Sequence, residues 1–285
     1  MIDGTPHAFA RLGLIAGGGQ LPREVVSACG AQPVFVIRLA GYADDPFDDV
    51  ETVEHSIGEF GTMIRSLKQA GCDAVCFAGY VTRPDFKTLK VDARGLMLLP
   101  RIVAAGRRGD DAILRVIVET FERAGFQVVG ADQLIGQQGF PPGHLGAVMP
   151  DEAMLADARK AMHIAAEIGR LDIGQGAVVI DGLVAAVEAQ EGTNAMLERV
   201  AGLPETLRGS ASAPRGVLAK RPKPIQERRI DLPTIGVDTV RLCHAAGLAG
   251  IVLEADGALI VDRDGVIEAL NQTGLFLRVE EAGDD

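Results

Sequence analysis

Residues 12–41 read LGLIAGGGQLPREVVSACGAQPVFVIRLAG, and their order of textures decides the fold. LGLIA is a short apolar run that stops at Gly17, Gly18 and Gly19; QLPREVVSACG has helical spacing with Pro22 near its first turn; PVFVIRLAG is a second apolar run. The unit is strand, helix, strand. It recurs through FGTMIRSLKQAG (60–71), DAVCFAGYV (73–81), DDAILRVIVETFERAG (110–125) and FQVVGAD (126–132). Such alternation predicts a mostly parallel sheet covered by helices on both faces, with ligands at the carboxyl ends of the strands.

Between residues 136 and 146 the pattern breaks into GQQGFPPGHLG, the composition of a linker. Beyond it DEAMLADARKAMHIAAEIG (151–169) reads as a helix, and GAVVIDGLVAAVEA (176–189) as a hairpin turning at Asp181 and Gly182. GVLAK is a strand, 237–246 a helix, AGIVLEADGALIV (249–261) a strand pair turning at Asp256 and Gly257, and another helix and LFLRVE close the chain. The fold class expected is α/β: an N-terminal Rossmann-like domain, 1–140, with a mostly parallel sheet, and a second α/β domain, 146–285, with a mixed sheet. The second domain carries the catalytic segments, and a ligand cleft is expected between the two.

A length of 285 residues favours two domains over one. The hydrophobic fraction of 47% with 24% charged residues is that of an ordinary globular protein with a sizeable core. A net charge of -11 and 4% aromatic residues argue against wrapping duplex nucleic acid or stacking bases. No apolar run reaches a membrane span, and the start MIDGTPHAFARLG lacks a basic region followed by an apolar one, so a cytoplasmic protein is expected. Cys72 and Cys76 resemble a metal pair in spacing, but four strand residues span about 13 Å. Buried reduced thiols are the reading for Cys29, Cys72, Cys76 and Cys243.

Gly17, Gly18 and Gly19, followed by Gln20, put backbone amides at a helix start where an anion or sugar can approach. The dinucleotide fingerprint fails, because no third glycine follows at the required spacing. Arg83 sits just past a strand end, and GRRGDD brings Asp110 and Asp111 to a helix start, Asp110 reading as its N-cap. Both segments fall where a cleft's lip is expected. VEAQEGTNAM bunches Glu188, Glu191, Thr193 and Asn194, carboxylates suited to a divalent cation.

KRPKPIQERRIDLPTIG, 220–236, crowds Lys220, Arg221, Lys223, Arg228 and Arg229 around Glu227 and Asp231. Cations neutralise phosphate oxygens; carboxylates beside them fit a metal ion held against a diphosphate. A salt-bridged surface loop is the structural alternative. Met154, Leu155, Met162 and Ile164 could wall an apolar groove, or belong to plain core.

LGLIAGGGQLP, CFAGYVTRPDF, GRRGDDAIL, IGQGAVV, VEAQEGTNAM, GVLAKRPKPIQERRIDLPTIG and AGLAGIVLEA, in this order over almost the whole chain, resemble the UDP-2,3-diacylglucosamine pyrophosphatase family of the LpxI type. The resemblance implies a cytoplasmic enzyme of lipid A synthesis, associated peripherally with the inner face of the cytoplasmic membrane. Its substrate would be a lipid-bearing sugar nucleotide, hydrolysed to UMP and 2,3-diacylglucosamine 1-phosphate with Mg²⁺ or Mn²⁺. Asp231, in the family's DLP segment, is implied as catalytic. Beside it Gln226 and Lys223 are catalytic candidates, Glu188, Glu191 and Asp231 metal candidates, and Lys220 and Arg229 phosphate ligands. Gly17, Gly18, Gly19, Gln20, Arg83, Asp110, Asp111, Thr193 and Asn194 complete the expected substrate surface. Two departures stand out: Asn194 replaces the family's usual aspartate, and Glu227 the aspartate of many members. A homo-oligomer is compatible with this reading. The rivals are a nucleotide-dependent oxidoreductase and a non-catalytic carrier or sensor of sugar nucleotides.

Overall fold

The computed structural model describes residues 9–82, 89–136, 141–224 and 226–281. The chain divides into two units: Met1–Gln137 with Glu227–Asp231, and Gln138–Gln226 with Leu232–Asp285. A five-residue piece of the late sequence thus belongs to the early unit.

The first unit runs β1 (Leu12–Ala16), α1 (Leu21–Cys29), β2 (Val34–Leu39), β3 (Glu51–His55), α2 (Phe60–Gln69), β4 (Ala74–Ala78), α3 (Ala93–Gly106), α4 (Asp110–Glu122), β5 (Gln127–Val129) and α5 (Ala131–Leu134). Its sheet has the order β3-β2-β1-β4-β5 with every pair parallel, the Rossmann-like arrangement the sequence predicts. Every residue of β1 is buried, as a strand covered on both faces requires. α2 lays Phe60, Met63, Ile64 and Leu67 on the core at helical spacing. Phe121 of α4 is fully buried and meets Phe77 edge-on, centroids 5.2 Å apart. Burying a ring of that size contributes about 2 to 3 kcal/mol.

Sequence periodicity misses β3 and α3. α3 holds Pro100 in its interior, a residue that argues against a helix, although Gly95, Ile102 and Ala105 are buried at helical spacing; Asp92, whose carboxylate accepts the Gly95 amide at 2.8 Å, marks its start. α4 differs in its start: its N-cap is Gly109, and both Asp110 and Asp111 stand in the first helical turn.

The second unit runs β6 (Gly143–Leu145), α6 (Glu152–Arg170), β7 (Gly176–Ile180), β8 (Leu183–Val187), α7 (Gly192–Ala201), β9 (Val217–Lys220), β10 (Thr234–Ile235), α8 (Val237–Ala245), β11 (Gly250–Glu254), β12 (Leu259–Ile260), α9 (Arg263–Thr273) and β13 (Phe276–Glu280). Its main sheet, β6-β13-β11-β9-β7-β8, is mixed: β13, β11 and β9 are parallel, the rest antiparallel. The β7–β8 hairpin turns as predicted, with φ of 50° at Asp181 and 76° at Gly182. Asp157 of α6, buried, accepts both of those turn amides.

AGIVLEADGALIV is not a hairpin. β11 lies between β9 and β13, whereas β12 pairs in parallel with β10 in a separate two-stranded sheet. Met162 is buried, and Met154 and Ile164 pack on the same core cluster, so α6 supplies core rather than a groove. The four cysteines are free and buried, and burial pushes the Cys29 and Cys72 thiols up to about 11. Among the described residues no helix is long and apolar enough to cross a membrane.

Candidate active site

In the first unit, strand order reverses between β1 and β4, the place where open α/β sheets bind ligands. A glycine follows each strand end there, Gly17 after β1 and Gly79 after β4. The Gly17 amide donates to Ala78 O at 2.8 Å, the Gly18 amide to Tyr80 O at 2.9 Å, and the Gly19 amide to Asp44 Oδ2 at 2.8 Å. A Cβ on Gly17 would lie 2.6 Å from Tyr80 O, and one on Gly18 would lie 2.5 Å from the Tyr80 ring. The three glycines therefore serve the docking of one strand end on the other. This corrects the expectation that their amides face an anion, since internal acceptors already hold them, and it removes the pyrophosphate grip that an oxidoreductase would use. Gln20 is exposed, at the N-cap of α1.

Beside this seam lies a cavity of ≈ 460 Å³, lined by Ile15, Phe60, Phe77, Ile102, Ile117 and Phe121 among other apolar side chains. That volume is ordinary for a small-molecule site. Its polar lining includes Asp110 and Asp231, with Gly17 and Tyr80 at the seam. The sequence placed these two carboxylates 121 positions apart (231 − 110) and assigned them to different domains; the structure puts them on one cavity.

Asp231 arrives there on the segment Glu227–Asp231, a single turn in which the amides of Ile230 and Asp231 both donate to Glu227 O at 3.1 Å. Three ties fasten it. Asp111, buried, accepts the Glu227 amide and pairs with Arg115 at 2.7 Å. Arg229 grips Glu227 with Nε at 2.8 Å and a second nitrogen at 3.0 Å, and reaches Glu122 at 2.6 Å. Ile230 packs on the first unit's core and lines the cavity. The Arg229 guanidinium holds the Glu227 carboxyl below the usual carboxylate range, and its own pKa is raised by the same hydrogen bonds.

Asp111 and Arg229 were expected to touch substrate. Both instead hold the turn that carries Asp231, because each has its polar atoms committed to protein partners. Asp110, in the same helical turn as Asp111, is exposed and lines the cavity. Arg83 lies outside the described residues.

The remaining candidates sit in the second unit. Glu188, at the end of β8 and buried, accepts from Thr193 Oγ1 at 3.0 Å. Lys220, also buried, donates to that same Oγ1 at 2.8 Å and to Thr234 O at 3.1 Å. The result is an internal chain of ammonium, hydroxyl and carboxylate. Lys223 pairs with Asp172 at 2.7 Å, and Arg221 with Glu254 at 2.8 Å. Gln226, buried, accepts the Lys223 amide at 2.8 Å and meets Gln175 at 3.2 Å. Glu191 pairs with Arg199 at 2.8 Å, and Asn194 is exposed on the first turn of α7.

Two expectations change accordingly. Lys220, Lys223, Arg221 and Arg229 are partnered within their own units, so the basic loop is largely a salt-bridged scaffold rather than an open phosphate grip. Glu188 and Glu191 have separate partners in the second unit, and among the described residues no three His, Cys, Asp or Glu side chains gather as a metal site. Within the first unit Asp110 and Asp231 are the carboxylates that line the cavity. Mg²⁺ is commonly bound by one or two carboxylates together with substrate phosphates, and this pair fits that pattern.

Residues 11–138 match the family model described as the LpxI N-terminal domain, and residues 141–278 that described as the LpxI C-terminal domain. Over 269 residues the chain is 55% identical to the UDP-2,3-diacylglucosamine pyrophosphatase LpxI of Caulobacter vibrioides, covering 94% of this chain and 96% of that protein. Among solved structures, a chain described as CobK precorrin-6A reductase aligns over 96% of this chain and 88% of its own at 13% identity. Its TM-score of 0.33 carries no argument. Two matched domains in order and a majority of identical residues across nearly the whole length place this chain in the LpxI family.

Proposed function

We propose that this chain hydrolyses the diphosphate of UDP-2,3-diacylglucosamine, releasing UMP and 2,3-diacylglucosamine 1-phosphate, in lipid A synthesis. The observation that carries the reading is the 55% identity to a relative of that name, over 94% of the chain. The presence of Asp231 and Asp110 on one apolar cavity supports it. Water attacks one phosphorus, the bridging P–O bond breaks, and the departing phosphate takes the electron pair. Asp231 orients that water and accepts its proton, a carboxylate's work as general base. The turn ties through Asp111 and Arg229 keep Asp231 from drifting, which matters because misplacement of about 1 Å can cost ~100-fold.

A divalent cation, Mg²⁺ or Mn²⁺, belongs in this reading with Asp110 and Asp231 as its protein ligands. It would supply charge neutralisation at the diphosphate. The apolar lining suits an acyl part of the substrate, and the protein would act on it at the inner surface of the cytoplasmic membrane.

The test follows UMP release from detergent-dispersed substrate, with Mg²⁺ or chelator, by the native chain and by Asp231→Asn. Metal-dependent release by the first, reduced at least about 100-fold in the second, is expected. Binding of the lipid nucleotide without release would favour a carrier. Full activity in Asp231→Asn would move the chemistry elsewhere.

A further inference from the structure

α3 combines two features that do not belong together on a water-facing helix. Its inner side is apolar, with Gly95, Ile102 and Ala105 buried and Ile102 lining the cavity. Its outer side is apolar as well: Leu96 is 61%, Met97 72% and Val103 45% exposed. Large apolar side chains grouped on the outer side of a helix are what a helix lying on a lipid surface presents. The exposure is also concentrated. Among the described residues of the first unit, every large hydrophobic residue left exposed falls between Tyr80 and Val103.

Charge narrows the occupant. Residues 93–109, ARGLMLLPRIVAAGRRG, hold Arg94, Arg101, Arg107 and Arg108 and no Asp or Glu, in a chain of net charge -11. Arg107 and Arg108 are exposed, and among the described residues neither has a carboxylate within ion-pair distance. A second copy of this chain packed α3 on α3 about a two-fold axis would set these arginines against themselves. An anionic bilayer meets both features together: acyl chains receive the apolar stripe while arginines reach the phosphates.

We propose that the outer face of α3, with the arginines at its end, rests on an anionic bilayer, laying Leu96, Met97 and Val103 among the acyl chains. Because the inner side of the same helix walls the cavity, the helix that meets lipid also borders the space proposed for an acyl chain. The inference deepens the membrane-surface clause of the proposed function, yet its test needs no turnover.

The full chain is floated with phosphatidylcholine vesicles, with and without phosphatidylglycerol, beside Leu96→Asp/Met97→Asp and Arg107→Glu/Arg108→Glu. The native chain is expected to float with anionic vesicles, less as salt rises, and hardly with neutral ones. The apolar double variant should lose at least about tenfold in partitioning, ~1.4 kcal/mol. The arginine variant should lose binding to anionic vesicles by a similar factor. Thermal melting and UMP release from detergent-dispersed substrate should be unchanged in Leu96→Asp/Met97→Asp, since both residues are exposed and neither lines the cavity. A native chain that ignores anionic vesicles, or an apolar variant that floats as well as the native chain, overturns the proposal. Conversion of a dimer to a monomer by that variant overturns it too, assigning the face to a second copy. Absence of UMP release from the native chain would sink the hydrolase reading and leave the vesicle result to decide this one.

Discussion

Replacing Asp111 by alanine isolates the task of holding Asp231 from the task of touching substrate. The change removes the acceptor of the Glu227 amide and the partner of Arg115. Orphaning a part-buried amide costs about 1 to 3 kcal/mol. The Arg115 pair adds little, because that arginine's side chain is 52% exposed. The docked turn is therefore weakened by about 2 kcal/mol, equivalent to a roughly 30-fold loss in its docking equilibrium. In the UMP-release assay kcat should fall by up to about 30-fold with KM unchanged, the signature of a reacting group out of place. Asp111→Asn, which keeps an oxygen for the amide, should fall much less. Hydrogen exchange of a peptide spanning 226–232 should accelerate in step with the loss of kcat. A raised KM with native kcat and native exchange would put Asp111 against the substrate and refute the positioning role.

Acid should release the same turn. Arg229 depresses the Glu227 pKa in the folded state, so the stabilisation is complete above the unfolded value of about 4.3 and is lost as pH falls through the lower folded value. Protection of peptide 226–232, its exchange rate relative to the unfolded peptide at the same pH, should thus hold at about pH 5 and fall below about pH 4; loss of protection near neutrality would contradict the assignment. Gly17→Ala forces a Cβ to within 2.6 Å of Tyr80 O, a backbone atom with little room to yield. The strain should lower stability by about 1 to 3 kcal/mol in urea unfolding, and a native midpoint would show that the seam is loose. Lys220→Met strands the buried Glu188 carboxylate at the far end of its hydroxyl bridge. A loss of at least about 3 kcal/mol is expected. Thr193→Val, which breaks both bonds, should cost about 1 to 3 kcal/mol; native stability in both variants would leave the internal chain without a structural role.

The layers of the fold were legible because burial on both faces leaves continuous apolar runs, as in β1 and β2, and one-sided burial leaves helical spacing, as in α2. α3 was hidden for a different reason: Pro100 stands in its interior, and Leu96, Met97 and Val103 show that its apolar residues are not confined to buried positions. AGIVLEADGALIV looked like a hairpin because Asp256 and Gly257 do form a turn, yet pairing is a long-range choice that turn chemistry does not settle. In the site, residue types were visible and partnerships were not. Lys220 and Arg229 look alike in sequence; one ends buried beneath Thr193 and the other clamps Glu227. Asp110 and Asp111 are neighbours, and one helical step sends the first to the solvent side and the second inward.

The late piece Glu227–Asp231 has a consequence for the order in which the protein is made. When a ribosome has synthesised residues up to Gln137, every strand of the first sheet exists, yet the cavity still lacks Ile230 and Asp231 from its wall. Those two residues emerge only after β7, β8 and β9 of the second unit have been translated. A chain truncated by premature termination at the linker would hold every strand of the first sheet around a cavity whose wall lacks Ile230 and Asp231. The first unit's cavity is thereby withheld from nascent fragments, and is completed only in a chain long enough to run past β9 of the second unit.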